Sequence, residues 1–498
     1  MDKLFLSKSS YCDCIQCNKM FWLNKYKKDL AVVNVNDNIL ENGRKVGEFA
    51  KGLFGDYVEV PYDLSINKRI EKTKELLENN QNVIAEASFN YDNNFCSVDL
   101  LKINPDGVEI YEVKSSTEIK NIYYEDIAYQ YYVLSNLGLT VNGAYIVYVN
   151  NKYIKIGELD IEQYFKNENV TETVKEMQNS VKTNIENVRE LIQSCDCENE
   201  PDSNIGPNCF DPYECAFWQY CTKDLPKPNV FDIAGMWTSK KFENYYNGKI
   251  SFEDLKNEDI NEKYLEQIDF ELNNRPPKIN KKTLVDILDS LKYPLYFIDY
   301  ESIQPAIPVY DGTKPYQQIP FQYSLHIIKE KEAPLEHKEF LADINDENMI
   351  RTFAENMIKD MPEEGSVIVY NSGFESTRNK EIGEMFPDLS SQMEMFNNNM
   401  VDLMAPFRAR DYYTKEMKGS YSIKYVLPAL YPDDPELDYS NIPLVHKGDE
   451  ASEAFLSLKD KNSEEQEIIR DALLKYCELD TLAMIKIWQN FKQVTNYE

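Results

Sequence analysis

Three groups of residues in this 498-residue chain have the types and spacing to do chemistry. Asp299 and Glu301 stand two apart in PLYFIDYES (294–302), whose aromatic and β-branched content predicts a strand. Period-two geometry puts both carboxylates on one face, where they repel unless a cation joins them. Hard divalent cations with oxygen ligands suit such a pair. Tyr476 and Asp480 stand four apart in a long amphipathic stretch (463–491), so they share a helix face. Between these pairs, Glu375 follows the apolar run VIVYNS. The second group is Asp99 in FCSVDLLKI (95–103), with Glu112 and Lys114 in VEIYEVKSS (108–116). Glu112 and Lys114 share a strand face, so two carboxylates sit beside an ammonium. That set could bind a metal while Lys114 activates water or stabilises charge. The third group is Cys209, Cys215 and Cys221, six apart in CFDPYECAFWQYC. That spacing is neither C-x-x-C nor a usual zinc ribbon.

The elements that must position these residues form two alternating series. NVIAEASF (82–89), 95–103, 108–116 and AYIVYV (144–149) read as strands, with a helix at 125–138 ended by Gly138 and a long polar helix near 171–193. Later, 294–302, 321–329, 336–343 and 366–372 read as strands and 463–491 closes as a helix. Such alternation predicts α/β domains. Composition breaks at DLPKPNVFD (224–232) and NNRPPKINKK (273–282) divide the chain into 1–225, a helical connector 226–289, and 290–498.

Hydrophobic residues at 42% and aromatics at 12% exclude global disorder. No apolar run nears the ~18 residues of a spanning helix, and MDKLFLSKSSYCDC lacks a secretory apolar stretch. A cytoplasmic protein with no membrane partner is expected, its ten cysteines thiols or metal ligands rather than disulfides. No phosphate-binding G-x-x-x-x-G-K-[ST] loop and no G-x-S-x-G elbow is present. Three histidines (326, 337, 446) are a poor supply for histidine-based catalysis. The net charge of −31 opposes generic polyanion binding. A nucleic-acid role therefore needs local basic surface, metal assistance or a basic protein partner. Lysine groups at 25, 27 and 28, at 278, 281 and 282, and at 415, 418 and 424 lie near aromatics that could stack bases.

Asp-x-Glu after a strand, an acid after YN-x-x-F, and Tyr-x-x-x-Asp on a late helix resemble the DEDD exonucleases of the RNase H-like superfamily, tyrosine variant, over 291–498. The resemblance implies Asp299, Glu301, Glu375 and Asp480 as ligands of two Mg²⁺ or Mn²⁺ ions, with Tyr476 orienting the attacking water. Glu375 stands where that family usually has Asp, and Asp402 is the alternative donor. Glu86, Asp99, Glu112-x-Lys114 and a helical Gln130 resemble, over about 40–150, the RecB-type branch of the PD-(D/E)xK nucleases. This implies Asp99 and Glu112 as metal ligands, catalytic Lys114, Gln130 at the site and Glu86 in support. Two positions depart from that pattern. Gly47 stands where many relatives have His, and Leu134 where a Tyr is usual, with Tyr131 and Tyr132 close by.

The late cysteines plus one early cysteine resemble the iron–sulfur RecB-like nucleases. That resemblance implies a [4Fe–4S] cluster on Cys17, Cys209, Cys215 and Cys221, with zinc as the rival metal and Cys12 and Cys14 as alternatives to Cys17. Cys195 and Cys197 have no assigned role; Cys96 and Cys477 read as buried packing. The chain as a whole resembles an uncharacterised bacterial family joining such a nuclease region to an RNase H-like exonuclease domain. The implied function is a metal-dependent DNA nuclease, with a 3′–5′ exonuclease in 290–498, in DNA repair or defence. An RNA-processing exonuclease and a non-catalytic nucleic-acid-binding scaffold are the alternatives.

Overall fold

The computed structural model describes residues 5–32, 37–432, 434 and 442–497. Its chain divides into two compact units, Met1–Asp224 with Pro305–Tyr316, and Leu225–Gln304 with Gln317–Glu498. Both are mixed α/β, and among the described residues no helix is long and apolar enough to cross a membrane. Segment 226–289, expected as a separate connector, is part of the second unit: Phe270, Leu284 and Leu288 are buried there with Phe297 and Leu427. Pro305–Tyr316, expected within 290–498, belongs to the first unit, where Ala306 is buried with Val46, Tyr111 and Tyr164. In both cases apolar side chains, invisible as long-range partners in a linear reading, set the boundary.

In the first unit, the described strands are β1 (Leu6–Ser7), β2 (Val58–Glu59), β3 (Val83–Tyr91), β4 (Asn94–Asn104), β5 (Gly107–Lys114), β6 (Val141–Val149) and β7 (Phe165–Asn169). They form one sheet ordered β2-β3-β4-β5-β6-β7, with β1 paired to β4. β3, β4 and β5 are antiparallel neighbours, whereas β5 and β6 are parallel. A parallel pair needs a crossover, and the helix Asn121–Asn136 supplies it. Ile127, Val133 and Leu134 turn one stripe of that helix into the core, each burial stabilising by roughly 1.5–3 kcal/mol. The helix begins a turn before the expected 125. The polar helix expected at 171–193 is two helices, Thr171–Glu176 and Gln178–Ser194.

In the second unit, β8 (Lys278–Ile279) pairs with β14 (Tyr412–Tyr413). The main sheet comprises β9 (Leu295–Ile303), β10 (Ile319–Ile328), β11 (Glu336–Leu341), β12 (Ser366–Val369) and β13 (Met400–Asp402), ordered β11-β10-β9-β12-β13. β9 is antiparallel to β10 and parallel to β12, and β12 is parallel to β13. β10 and β12 are buried along their whole length, and the buried Gln322, Ser324 and His326 of β10 are each hydrogen-bonded, as buried polar groups must be. The closing helix, Ser463–Thr495, starts at Asn462, whose side chain accepts the N–H groups of Glu464 and Glu465. It lies against β10: Gln322 Nε2 donates to Leu473 O at 2.7 Å, and the hydroxyls of Thr481 and Ser324 are 2.8 Å apart.

Candidate functional site

Two carboxylate clusters and one thiol cluster emerge from these frames. In the second unit, Asp299 and Glu301 project from β9, and Asp480 arrives from the closing helix. One oxygen of each lies within 4.8 Å of the others. Glu375, in the first turn of the helix Gly373–Met385, is 2% exposed and its Oε2 has no hydrogen-bond partner. Burial, then the charges of Asp480, Glu301 and Glu375, push Asp299 well above the usual carboxylate range. Burial and Asp480 do the same to Glu301, opposed by Lys424. Burial, with Asp402 adding, pushes Glu375 up to about 8. Tyr476 is buried one turn before Asp480, and burial plus the Asp480, Glu301 and Asp299 charges hold its phenol protonated.

Among the described residues no cation forms an ion pair with Asp299, Glu301 or Glu375. Asp402, the alternative to Glu375, is engaged elsewhere. Its Oδ1 accepts the backbone N–H groups of Asn371 at 3.0 Å and Met404 at 2.9 Å, and Arg408 lies 3.6 Å from its Oδ2. An oxygen-only donor set with an orphaned buried oxygen and mutually raised acids fits hard divalent cations such as Mg²⁺ or Mn²⁺.

The first unit's cluster is built differently. The β4–β5 ladder ends at Leu100–Tyr111, and one residue further the Asp99 carboxylate takes over, accepting Val113 N–H at 2.7 Å. Glu112 is 2% exposed. Its Oε1 accepts from Lys114 at 2.8 Å and from Lys8 at 2.7 Å, and its Oε2 from the Gln130 amide. Lys114 also reaches Asp126 Oδ2 at 2.5 Å and stands 4.8 Å from the centre of the Tyr123 ring. Burial would raise Glu112, but Lys114 and Lys8 outweigh it and hold the group at about 2. Burial and the Glu112 charge instead push Asp99 up to about 7. Two acids driven apart by their surroundings are a pattern of acid–base sites. Glu86 is held at φ +57° on β3, with Arg69 3.7 Å from its carboxylate. An oxygen of Gln130 is buried without a partner, so Asp99, Glu112 and Gln130 fit a hard cation as donors. Such an ion would compete with Lys8 and Lys114 for Glu112. A Cβ at Gly47 would meet nothing within 4 Å, and Leu134 is buried in the core.

Cys17, Cys209, Cys215 and Cys221 line one pocket together with Lys19, Ser203 and Trp218. Cys12 and Cys14 are turned elsewhere, to Asp126 at 3.2 Å and Asn18 at 3.1 Å. Gln16 and Asn208 clasp the pocket's two chain segments reciprocally, each side-chain amide donating to the other's backbone carbonyl at 2.8 Å. Four thiols at one pocket suit a thiophilic group, an iron–sulfur cluster or zinc. Cys195 packs with Cys17, Cys215 and Cys221 against Met20, Trp22, Leu23 and Phe217, Cys197 is exposed, and Cys96 and Cys477 are buried.

Lys8 and Asp126 are the site residues that sequence reasoning missed. Lys8 lies outside the strand pattern, 104 residues before its partner Glu112. Asp126 stands one helical turn before Gln130, a spacing that could have flagged it. Of the lysine groups, Lys424 is the one whose charge reaches a carboxylate cluster. Lys278 and Lys282 pair with Glu266 at 2.6 Å and Asp286 at 2.5 Å.

A family model described as a domain of unknown function, DUF2779, matches residues 296–422. That stretch includes Asp299, Glu301 and Glu375 and ends before Tyr476 and Asp480. The chain is 28% identical over 314 residues to Uncharacterized protein UU173 of Ureaplasma parvum, covering 56% of this chain and 44% of that protein. It is 27% identical over 220 residues to Uncharacterized protein MG366 of Mycoplasma genitalium, and 29% over 218 residues to the MG366 homolog of Mycoplasma pneumoniae. Each of these covers 40% of this chain and 32% of the relative. The chain therefore spans less than half the length of these relatives.

Proposed function

We propose that this chain is a metal-dependent nuclease hydrolysing phosphodiester bonds of DNA. In this reading the second unit is a DEDD-type 3′–5′ exonuclease on an RNase H-like fold, and the first unit a RecB-like PD-(D/E)xK nuclease. The observation that carries it is the cluster of Asp299, Glu301 and Asp480, with buried Glu375 near enough for its charge to raise Asp299, and no ion pair to Asp299, Glu301 or Glu375 among the described residues. The sheet order β11-β10-β9-β12-β13, with the acid pair on its central strand, supports the fold reading. Bound there, two divalent cations would stabilise the attacking and leaving oxygens of the phosphodiester. Asp299, Glu301, Asp480 and Glu375 hold them, and the protonated Tyr476 phenol orients a water by hydrogen bonding. Lys424 draws the anionic strand toward the acids.

In the first unit Asp99 and Glu112 are the donors, Gln130 holds Glu112, and Lys114 acts as an ammonium. Its contacts with Glu112, Asp126 and the Tyr123 ring favour charge stabilisation over proton abstraction. The thiol quartet holds a [4Fe–4S] cluster that clasps the segment around Cys17 to 209–221, with zinc as the rival occupant. The net charge of −31 favours engagement of strand ends over long duplex tracts.

Cleavage of end-labelled single-stranded DNA and of a matched RNA strand in Mn²⁺ tests this with wild type, Lys114→Ala and Asp480→Asn. A ladder of shortened products that Asp480→Asn abolishes is expected. Intact DNA and RNA with wild type, metal loaded, overturns the nuclease reading in favour of a binding scaffold; cleavage of RNA alone replaces DNA as the substrate.

A further inference from the structure

Two of the three histidines in this chain face each other. His326 on β10 and His337 on β11 are register partners, and their ring centres are 4.4 Å apart with 26° between planes. Glu478, on the closing helix, lies 3.7 Å from His337 Nδ1. One donor atom from each of the three lies within 4.8 Å of the others. We propose that His326, His337 and Glu478 form a transition-metal site in the second unit, taking a zinc-class divalent ion and separate from the all-oxygen cluster.

The donors argue for that class of ion. Two imidazoles and one carboxylate suit Zn²⁺ and its neighbours over Mg²⁺ or Ca²⁺, and leave coordination positions open. The hydrogen bonds behind the rings argue for a built site. His326 Nδ1 lies 2.8 Å from Thr481 Oγ1, and His337 Nε2 lies 3.0 Å from Ser324 Oγ. The two hydroxyls are themselves 2.8 Å apart, so one chain of hydrogen bonds backs both rings. Metal-ligating histidines characteristically hold their second nitrogen this way, which fixes tautomer and orientation. His326 Nε2 and His337 Nδ1 are left as ligands.

Stacked rings aim their in-plane lone pairs side by side rather than at one point. Sharing an ion therefore asks the partly exposed His337 ring to swing about its Nε2–Ser324 hydrogen bond, while buried His326 stays. The ion would pin β11 and β10 to the closing helix. Thr481 adjoins Asp480, and Ser324 is the register partner of Asp299. The site would thus set the position of the acid cluster from behind, whether or not that cluster cuts phosphodiesters.

The test is Co²⁺ titration of the chelator-stripped full chain, followed by visible absorption, for wild type, His337→Ala, Glu478→Ala and Thr481→Val. Cobalt at the thiol pocket is recognised by its sulfur-to-metal charge-transfer bands. We expect wild type to bind one equivalent more than His337→Ala and Glu478→Ala, with a difference spectrum free of those bands. Thr481→Val, which touches no ligand atom, should weaken that equivalent by about 10–100-fold. Glu478 is half-exposed, so that variant decides the matter if His337→Ala fails to fold. Equal stoichiometry and identical spectra for wild type and Glu478→Ala overturn the proposal and leave the histidines as a stacked packing pair.

Discussion

The two carboxylate clusters solve one electrostatic problem in opposite ways. In the first unit, Glu112 is buried but neutralised from within: Lys8 and Lys114 both donate to Oε1, and the acid stays ionised at about 2. In the second unit, Glu301 and Glu375 are buried and Asp299 half-buried; the three have no ion pair among the described residues and are all pushed upward. Buried charge is tolerated only when paired or coordinated. The first cluster is thus balanced by its own lysines, while the second has no such partner and, in the function proposed above, is completed by cations from solution. The same residue types therefore imply different dependence on metal.

The largest expected effect breaks the second cluster's chemistry. Asp480→Asn should lower exonucleolytic turnover on the order of 10²–10³-fold, the size of several kcal/mol of lost charge stabilisation, read as the initial rate in Mn²⁺. Next comes the internal pairing of the first cluster. Lys8→Met leaves Glu112 with one ammonium and should cost about 1–3 kcal/mol, measured as a shift in the urea midpoint of the first unit's transition. An unshifted midpoint would mean that Lys114 alone balances Glu112.

A third prediction reverses sign between clusters. Asp299→Asn removes repulsion and should raise the metal-free melting midpoint at pH 8, by roughly 2–4 °C per kcal/mol relieved. Saturating Mn²⁺ should erase or invert that gain. Titration behaves likewise. Asp299 has a raised folded pKa, so the folded state holds its proton more tightly; the associated stability is present at low pH and fades as pH rises through that pKa. Glu112 has a lowered folded pKa; its contribution is present above the ordinary value near 4.5 and is lost as pH falls through about 2. Metal-free melting of Asp299→Asn and Glu112→Gln against wild type, from pH 3 to 8, should therefore give opposite slopes. The smallest effect is at Lys424, an exposed charge worth about 0.2–1 kcal/mol. Lys424→Ala should raise KM a few-fold at unchanged kcat, and the difference should shrink with added salt.

Strand positions were legible because β9, β10 and β12 are rich in aromatic and β-branched residues, which can be read without partners. So was the Asp299–Glu301 pair, since period two fixes its shared face. Lys8 was not, because nothing local in LSKSS ties it to a carboxylate 104 residues away. The choice between Glu375 and Asp402 was equally hidden. It depends on contacts distant in sequence, such as the backbone N–H groups of Asn371 and Met404 that occupy Asp402 Oδ1. The connector's membership in the second unit also depended on Phe270, Leu284 and Leu288 finding a distant core.

By itself, the sequence determined the α/β class, the spacing of Asp299 with Glu301, Glu112 with Lys114 and Tyr476 with Asp480, and the thiol series. The three paired spacings follow from periodicities of two or 3.6 residues acting over a short stretch, and the thiol series from residue type alone. Only the tertiary structure decided which acids are balanced, which cysteine joins Cys209, Cys215 and Cys221 at one pocket, and that His326 meets His337. Coulombic and ligand interactions act over a few ångströms of space, and chain separation does not constrain which side chains arrive within that range.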